Sequence, residues 1–319
     1  MDVKIITIFG ATGNQGGSVA RSLLKNPAFH VRGITRNPES NASKALISQG
    51  AEMVQANGLS PDEMKAAFRG SWGVFLNINS DDKAFTNPEN PTEFDMGKII
   101  VDAAASAGVQ HFVFSSGPPC SEMTNGKVSM KAMDRWFLEN FLSKEVAPVF
   151  GGFPYFPNDA GLLVFSTPCW GGKEDVPWLS ISDDFGDIVQ GALLDPETWN
   201  GHFIHGLSDV RSFKELTGDF QEVTSRRATW SPIQPSWEEF QTHGIHELED
   251  VKLMFGFTQL TGGKYFGTTT ESHTASKLKK ATAVALGYPE DKHGLVTVKQ
   301  WFATRFGNAT LCKDNGITE

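Results

Sequence analysis

The sequence predicts an α/β protein built on a doubly wound parallel sheet, and three observations carry that prediction. Short, β-branched apolar runs alternate with helical patterns from Val3 to Phe114. The turn Gly10-Ala11-Thr12-Gly13-Asn14-Gln15-Gly16-Gly17 joins the first of these runs to the first helix. The 319 residues suffice for one large domain, or for a domain with a substantial second lobe, without metal or disulfide staples.

In order, Val3, Ile5, Ile6, Ile8 and Phe9 form a run too short for a helix and suited to a strand buried on both faces. Val19, Ala20, Leu23 and Leu24 then recur at helical spacing, so a helix begins inside the glycine run. Its first backbone N–H groups have no intrahelical acceptor and point back at the loop. A pyrophosphate placed there gains hydrogen bonds and the positive end of the helix dipole. Gly10 permits the tight turn, Gly13 lets phosphate approach the backbone, and Gly16 lets the helix pack against the strand. The spacing is G-x-x-G-x-x-G, and its place between a strand and a helix gives it weight as a dinucleotide site.

Phe29, Val31, Gly33 and Ile34 form a second strand that ends at Thr35-Arg36-Asn37-Pro38. At this strand end a carboxylate serves the ribose hydroxyls of NAD(H), whereas a guanidinium pairs with the 2′-phosphate of NADP(H). Here stand Thr35 and Arg36, and the expected cofactor is NADP(H). Residues 42–49 form a helix stopped by Gly50, and residues 52–56 a third strand. Ser60 and Pro61 open the next helix as N-cap and first-turn proline. A fourth strand, 73–78, delivers Asn77 and Asn79 at its carboxyl end, where open parallel sheets bind ligands. A helix over 93–107 ends at Gly108, and a fifth strand, 109–114, delivers Ser115-Ser116. The expected division is a nucleotide-binding domain over 1–152 and a smaller, mainly substrate-binding lobe over 153–319, parts of which return to the sheet.

Composition narrows the function. A net charge of −9 without a basic face disfavours nucleic acid as a partner. Cys120, Cys169 and Cys312 are too far apart for a disulfide framework or a zinc motif, which suits a reducing compartment. Cys120 has no basic neighbour and reads as inert. No apolar stretch is long enough for a membrane span, and a cytoplasmic location is the expectation. His243, His246 and His273 lack the spacing of a metal site, and no metal is expected.

Several unlike motifs, occurring in order, resemble the NmrA-like family of atypical short-chain dehydrogenase/reductases. They are the glycine turn, Gly33-Ile34-Thr35-Arg36, Gly50-Ala51-Glu52, Gly73-Val74-Phe75, the stretch 97–104, His111-Phe112-Val113-Phe114-Ser115-Ser116, the loop 153–158 and the stretch 176–188. The resemblance covers most of the chain to about residue 210. It implies a Rossmann-type fold and NADP(H) binding more strongly than any reaction, because the family holds both reductases and redox sensors that do no chemistry. By position it implies Gly10, Thr12, Gly13, Asn14, Gln15 and Gly16 at the pyrophosphate and Arg36 at the 2′-phosphate. Asn57 stands where many members place an aspartate beside the adenine, so that contact is altered. Asn77 and Asn79 would border the nicotinamide ribose, with Ser115, Ser116 and Lys131 near ribose and nicotinamide. The loop 153–158, with Pro154 and Asn158, would cover the nicotinamide face.

Standard short-chain dehydrogenases place Tyr-x-x-x-Lys on a helix, the tyrosine donating a proton and the lysine holding the ribose. In Lys127-Val128-Ser129-Met130-Lys131 the lysine matches, but Lys127 stands where the tyrosine would. The remaining catalytic candidates are Lys131 itself, Tyr155, the one tyrosine of three that the resemblance brings to the cofactor, and Ser116, which could polarise a carbonyl or imine. Aromatics in the runs 150–156 and 255–257, set among glycines, read as loop residues walling a bulky aromatic substrate, and 262–270 reads as a loop that folds over the site. Two functions fit. One is reduction of a hydrophobic aromatic small molecule at an imine or conjugated carbonyl, with or without ring formation, in secondary metabolism. The other is an NADP(H) sensor acting through a protein partner.

Overall fold

The computed structural model describes residues 2–85, 87, 89–130, 138–233, 236–289 and 293–307, and of residues 246 and 247 the backbone alone. Five parallel strands, β1 (Lys4–Phe9), β2 (Phe29–Thr35), β3 (Glu52–Gln55), β4 (Gly73–Leu76) and β5 (His111–Phe114), form one sheet in the order β3-β2-β1-β4-β5. The chain starts at the centre, runs to one edge, returns and runs to the other. The order therefore reverses beside β1, between β1 and β4. That reversal opens a crevice at the carboxyl ends of the two strands, and the glycine turn leaves β1 there. The sheet thus has the Rossmann-type order that the alternation predicts.

Four helices link these strands: α1 (Asn14–Leu23), α2 (Asn41–Ser48), α3 (Pro61–Ala67) and α4 (Glu93–Ser106). Their starts are written locally. Ser40 and Ser60 accept from the N–H groups of Ser43 and Glu63, and Thr92 forms a capping box with Asp95. Alternate strand residues serve opposite faces. Ile6, Ile8 and Phe75 pack with Val19 and Leu23 of α1, while Val74 and Leu76 pack with Met64, Phe68, Ile100 and Ala104 beneath α3 and α4.

The chain forms two compact units. The first comprises Met1–Ser116, Ile181–Ile204 and His273–Gly294, and the second Gly117–Ser180, His205–Ser272 and Leu295–Glu319, as far as these stretches are described. The described residues of 117–152, grouped by sequence with the nucleotide half, fall in the second unit. The first unit gains the helices Gly186–Leu194 and His273–Ala285, and close backbone approach explains why. A Cβ at Gly186 would lie 2.2 Å from the Ser18 carbonyl oxygen, and one at Gly191 2.2 Å from that of Leu278. A buried Asp184–Lys279 ion pair adds to the join.

The second unit holds two-stranded sheets, Leu163–Thr167 beside Ala228–Pro232 and Pro177–Trp178 beside Asp209–Val210. Its interior is aromatic: Phe150, Phe153, Phe165, Trp170, Trp178, Phe213, Phe220, Phe255 and Phe302 form one buried cluster. This corrects the expected aromatic substrate wall. Phe255 and Phe257 lie within the helix His246–Leu260, and Phe150, Phe153, Phe255 and Phe257 are all buried. Of the two runs, Tyr155 and Phe156 retain exposure. The 262–270 stretch is likewise pinned within this unit, with Tyr265 stacked on Trp170 and Phe266 on His205.

Candidate functional site

At two positions of the glycine turn the neighbouring backbone leaves no space for a side chain. Gly10 sits at φ +79°, and a Cβ there would lie 2.7 Å from the Asn77 carbonyl oxygen. A Cβ at Gly16 would lie 2.2 Å from the Gly10 carbonyl oxygen. Both positions require glycine, the first for its backbone angle and the second for close approach. Gly33 on β2 serves the same end from below, because a Cβ there would meet Ala11 at 2.9 Å. Gly13 is the N-cap of α1 without a side-chain cap, and the first helical hydrogen bond runs from Gly17 N–H to the Gly13 carbonyl at 2.8 Å. The amides of Gln15 and Gly16 precede that bond, in the half-turn where helices receive phosphate. Thr12, Gly13 and Asn14 are exposed, while Gln15 and Gly16 are buried.

Ser115 follows β5 and reaches back to α1. Its N–H extends the ladder to the Leu76 carbonyl at 2.9 Å, and its hydroxyl donates to the Gln15 side-chain oxygen at 2.5 Å. Ser115 therefore holds the first turn of α1 against the end of β5. Ser116 follows it on the surface.

Arg36 lies at the end of β2, and an acid that local sequence does not place there meets it. Its Nη2 lies 2.8 Å from Asp82 Oδ2, and its Nη1 donates to Asp82 Oδ1 at 3.2 Å. Asp82 stands 46 residues along the chain, in the loop after β4. Sequence reasoning passed over it because nothing local pairs it with Arg36. The Asn and Asp run from Asn77 to Asp82 was the available signal, since such residues build turns that fix their own carboxylates.

The asparagines are bound into turns. Asn57 accepts from Leu59 N–H at 3.1 Å, and Asn79 from Asp81 N–H at 3.2 Å. Asn77 is partly buried, with its backbone against Gly10. In the second unit Asn158 organises a turn, accepting from the N–H groups of Ala160 and Leu162 at 3.0 Å each. Pro154 follows a cis peptide bond and is buried. Tyr155 packs against Phe156 and Phe306, and burial pushes its phenol above the ordinary tyrosine range. Lys127 is exposed, and Lys131 lies outside the described residues. The buried Cys120 thiol donates to the Pro118 carbonyl and is pushed up to about 11 by desolvation, a thiol held away from its reactive form.

The sequence profile of the NmrA-like family matches residues 2–285. This chain belongs to the NmrA-like family. Among the relatives of this NmrA-like chain is the NmrA-like family domain-containing oxidoreductase lnaB of Aspergillus flavus, 62% identical over 96% of this chain and 99% of that protein. Another is the like-named oxidoreductase FrzB of Cladobotryum sp, 55% identical over 95% of this chain and 98% of that protein. Among solved structures the fold resembles NmrA, described as a negative transcriptional regulator in complex with NADP, with a TM-score of 0.67 and 19% identity over 98% of each chain. It also resembles the triphenylmethane reductase of Citrobacter sp. complexed with NADP(H), with a TM-score of 0.60 and 16% identity over 94% of this chain and 99% of the other. Among the described residues no helix is long and apolar enough to cross a membrane.

Proposed function

We propose that this chain is an NADP(H)-dependent oxidoreductase that passes hydride to a hydrophobic small molecule at an imine or conjugated carbonyl, in secondary metabolism. The observation that carries the reading is the start of α1, where Gly10 and Gly16 let the turn and the helix pack closely and the helix begins at Gly13 with no side-chain cap over its first amides. Relatives above half identity bear the name oxidoreductase, which supports chemistry over sensing.

The residues present fit a dinucleotide. The amides at the start of α1 would hold the pyrophosphate, Arg36 the 2′-phosphate, and Asn77 and Asn79 the nicotinamide ribose. When bound, the cofactor supplies the hydride; the chain's work is to orient and to move a proton. Ser115 keeps Gln15 and the turn in place. Tyr155 is the candidate donor, its phenol proton passing to the reduced substrate, although its burial makes it a weaker acid than an ordinary tyrosine. Ser116 is the candidate to polarise the acceptor oxygen or nitrogen, and Lys131 to hold the ribose.

The test is NADPH consumption by the purified protein against a panel of hydrophobic imines, enals and quinones, followed at the nicotinamide absorbance, with products weighed for the two added hydrogens. Turnover that falls at least tenfold in Tyr155→Phe supports the reading and its donor. Tight NADPH binding with no consumption across the panel overturns it.

One observation favours a second reading, a non-catalytic NADP(H) sensor. Lys127 occupies the position of the standard tyrosine, and the solved NmrA, which shares the fold, is described as a regulator. NADP(H)-dependent capture of a protein partner, without turnover, is the outcome that reading requires.

A further inference from the structure

Arg36 does not wait at the end of β2 with its fork open. Both terminal nitrogens face both oxygens of Asp82, the end-on arrangement in which a guanidinium also takes a phosphate. The two partners are held very differently. The Asp82 side chain is 12% exposed, and its Oδ1 also accepts the Ala84 N–H at 3.0 Å. Its own N–H donates to the Asn79 carbonyl at 3.1 Å, and its carbonyl accepts the Phe85 N–H at 2.9 Å. The Arg36 side chain is 70% exposed, and its backbone carbonyl accepts from Gln55 Nε2 at 3.1 Å. The carboxylate is therefore fixed, and the guanidinium is the partner that can turn away.

We propose that Asp82 sets the nucleotide preference of this site by competing with the 2′-phosphate for Arg36. The inference rests on the nucleotide-binding reading given above and adds to it a named determinant of specificity. Binding of a 2′-phosphorylated ribose must either displace Asp82 from the fork or leave two anions on one guanidinium, and both costs fall on NADP(H) alone. A ribose with a free 2′-hydroxyl meets no such cost, because a carboxylate is the ordinary acceptor for that hydroxyl. Asp82 thus narrows the advantage that Arg36 alone would confer on NADP(H), and the site discriminates less than an unopposed arginine would.

Titration calorimetry of wild type and Asp82→Asn with NADP+ and with NAD+ tests this. Asparagine keeps an oxygen for the Ala84 N–H, so the loop's cap survives while the charge and half the fork are lost. The expected result is that NADP+ binds roughly three- to tenfold tighter to the variant, the scale of an exposed but bidentate pair. NAD+ affinity is expected to stay level or weaken, so the ratio of the two rises. Asp102→Asn, which removes an equal charge from the exposed Lys98–Asp102 pair on α4, should leave the ratio unchanged. An unchanged or lowered ratio in Asp82→Asn, with wild type binding normally, overturns the inference alone. Wild type that binds neither nucleotide overturns the nucleotide reading and the inference with it.

Discussion

The Ser115 hydroxyl donates to the Gln15 side-chain oxygen across 100 residues of sequence, tying the carboxyl end of β5 to the first turn of α1. Gln15 is 7% exposed, so its oxygen has little water to fall back on. Ser115→Ala leaves a buried acceptor without its donor, a loss of about 1–3 kcal/mol. Chemical denaturation should show that loss, and calorimetry a several-fold weaker NADP+ affinity as the turn loosens. A variant that loses affinity with stability intact would place Ser115 at the ligand itself and not behind Gln15.

Neighbouring glycines on α1 should respond in opposite ways. Gly16→Ala drives a Cβ to within 2.2 Å of the Gly10 carbonyl oxygen, and a backbone atom has no rotamer to escape into. Gly17→Ala meets Arg21 Nη1 at 3.1 Å and the Ala11 carbonyl oxygen at 3.4 Å; the first is the far end of a flexible side chain, which can give way. An alanine inside a helix also gains about 1 kcal/mol over glycine. Gly16→Ala is expected to abolish measurable NADP+ binding and lower the melting temperature. Gly17→Ala should keep NADP+ affinity within error of wild type and leave the melting temperature equal or slightly higher. Equal damage from the two would mean that the crowding at Gly16 is not what excludes a side chain.

What the sequence showed in advance divides by distance along the chain. The succession of the five strands along the chain, the glycine turn and the Ser60 cap depend on neighbours a few residues apart, and periodicity reveals such neighbours. The Arg36–Asp82 pair, the Ser115–Gln15 bond and the close approach of Gly186 to Ser18 join distant residues and leave no local trace. The aromatics misled for a different reason. Gly256 between Phe255 and Phe257 suggested a loop, but it sits in mid-helix because Trp237 packs against it: a Cβ there would meet the indole at 2.8 Å. A glycine required by packing looks, in sequence, like a glycine required by a turn.

The buried ion pair of the first unit offers a sharper energetic test. Asp184 is fully buried, and Lys279, on the helix His273–Ala285, reaches it and also donates to the Asp183 carbonyl at 3.2 Å. Lys279→Met strands a carboxylate away from water and is expected to cost about 3–5 kcal/mol. Adding Asp184→Asn should recover more than half of that, because the double variant no longer buries an uncompensated charge. Denaturant titrations of wild type, both single variants and the double variant decide the point. Purely additive losses would show that the two side chains stabilise their helices separately.

The second unit carries a histidine whose protonation should be visible in its stability. His205 is 8% exposed, its ring lies parallel to Phe266 at 4.2 Å, and its Nδ1 accepts the Glu271 N–H at 3.3 Å while Nε2 meets the Thr268 hydroxyl at 3.2 Å. An Nδ1 that accepts is unprotonated, and desolvation holds the imidazole below its ordinary range, with the Glu271 carboxylate opposing by a smaller amount. Above the ordinary histidine value both folded and unfolded chains carry the neutral ring, and the contribution is full. As pH falls through about 6.5 the unfolded chain takes up the proton first, so stability drops until the folded value is reached. Urea unfolding between pH 7.5 and 5.5 should therefore show a steeper loss for wild type than for His205→Gln, which keeps polar atoms for Thr268 but has no proton to gain. Parallel pH profiles in the two proteins would mean that the Glu271 contact does not depend on the neutral ring.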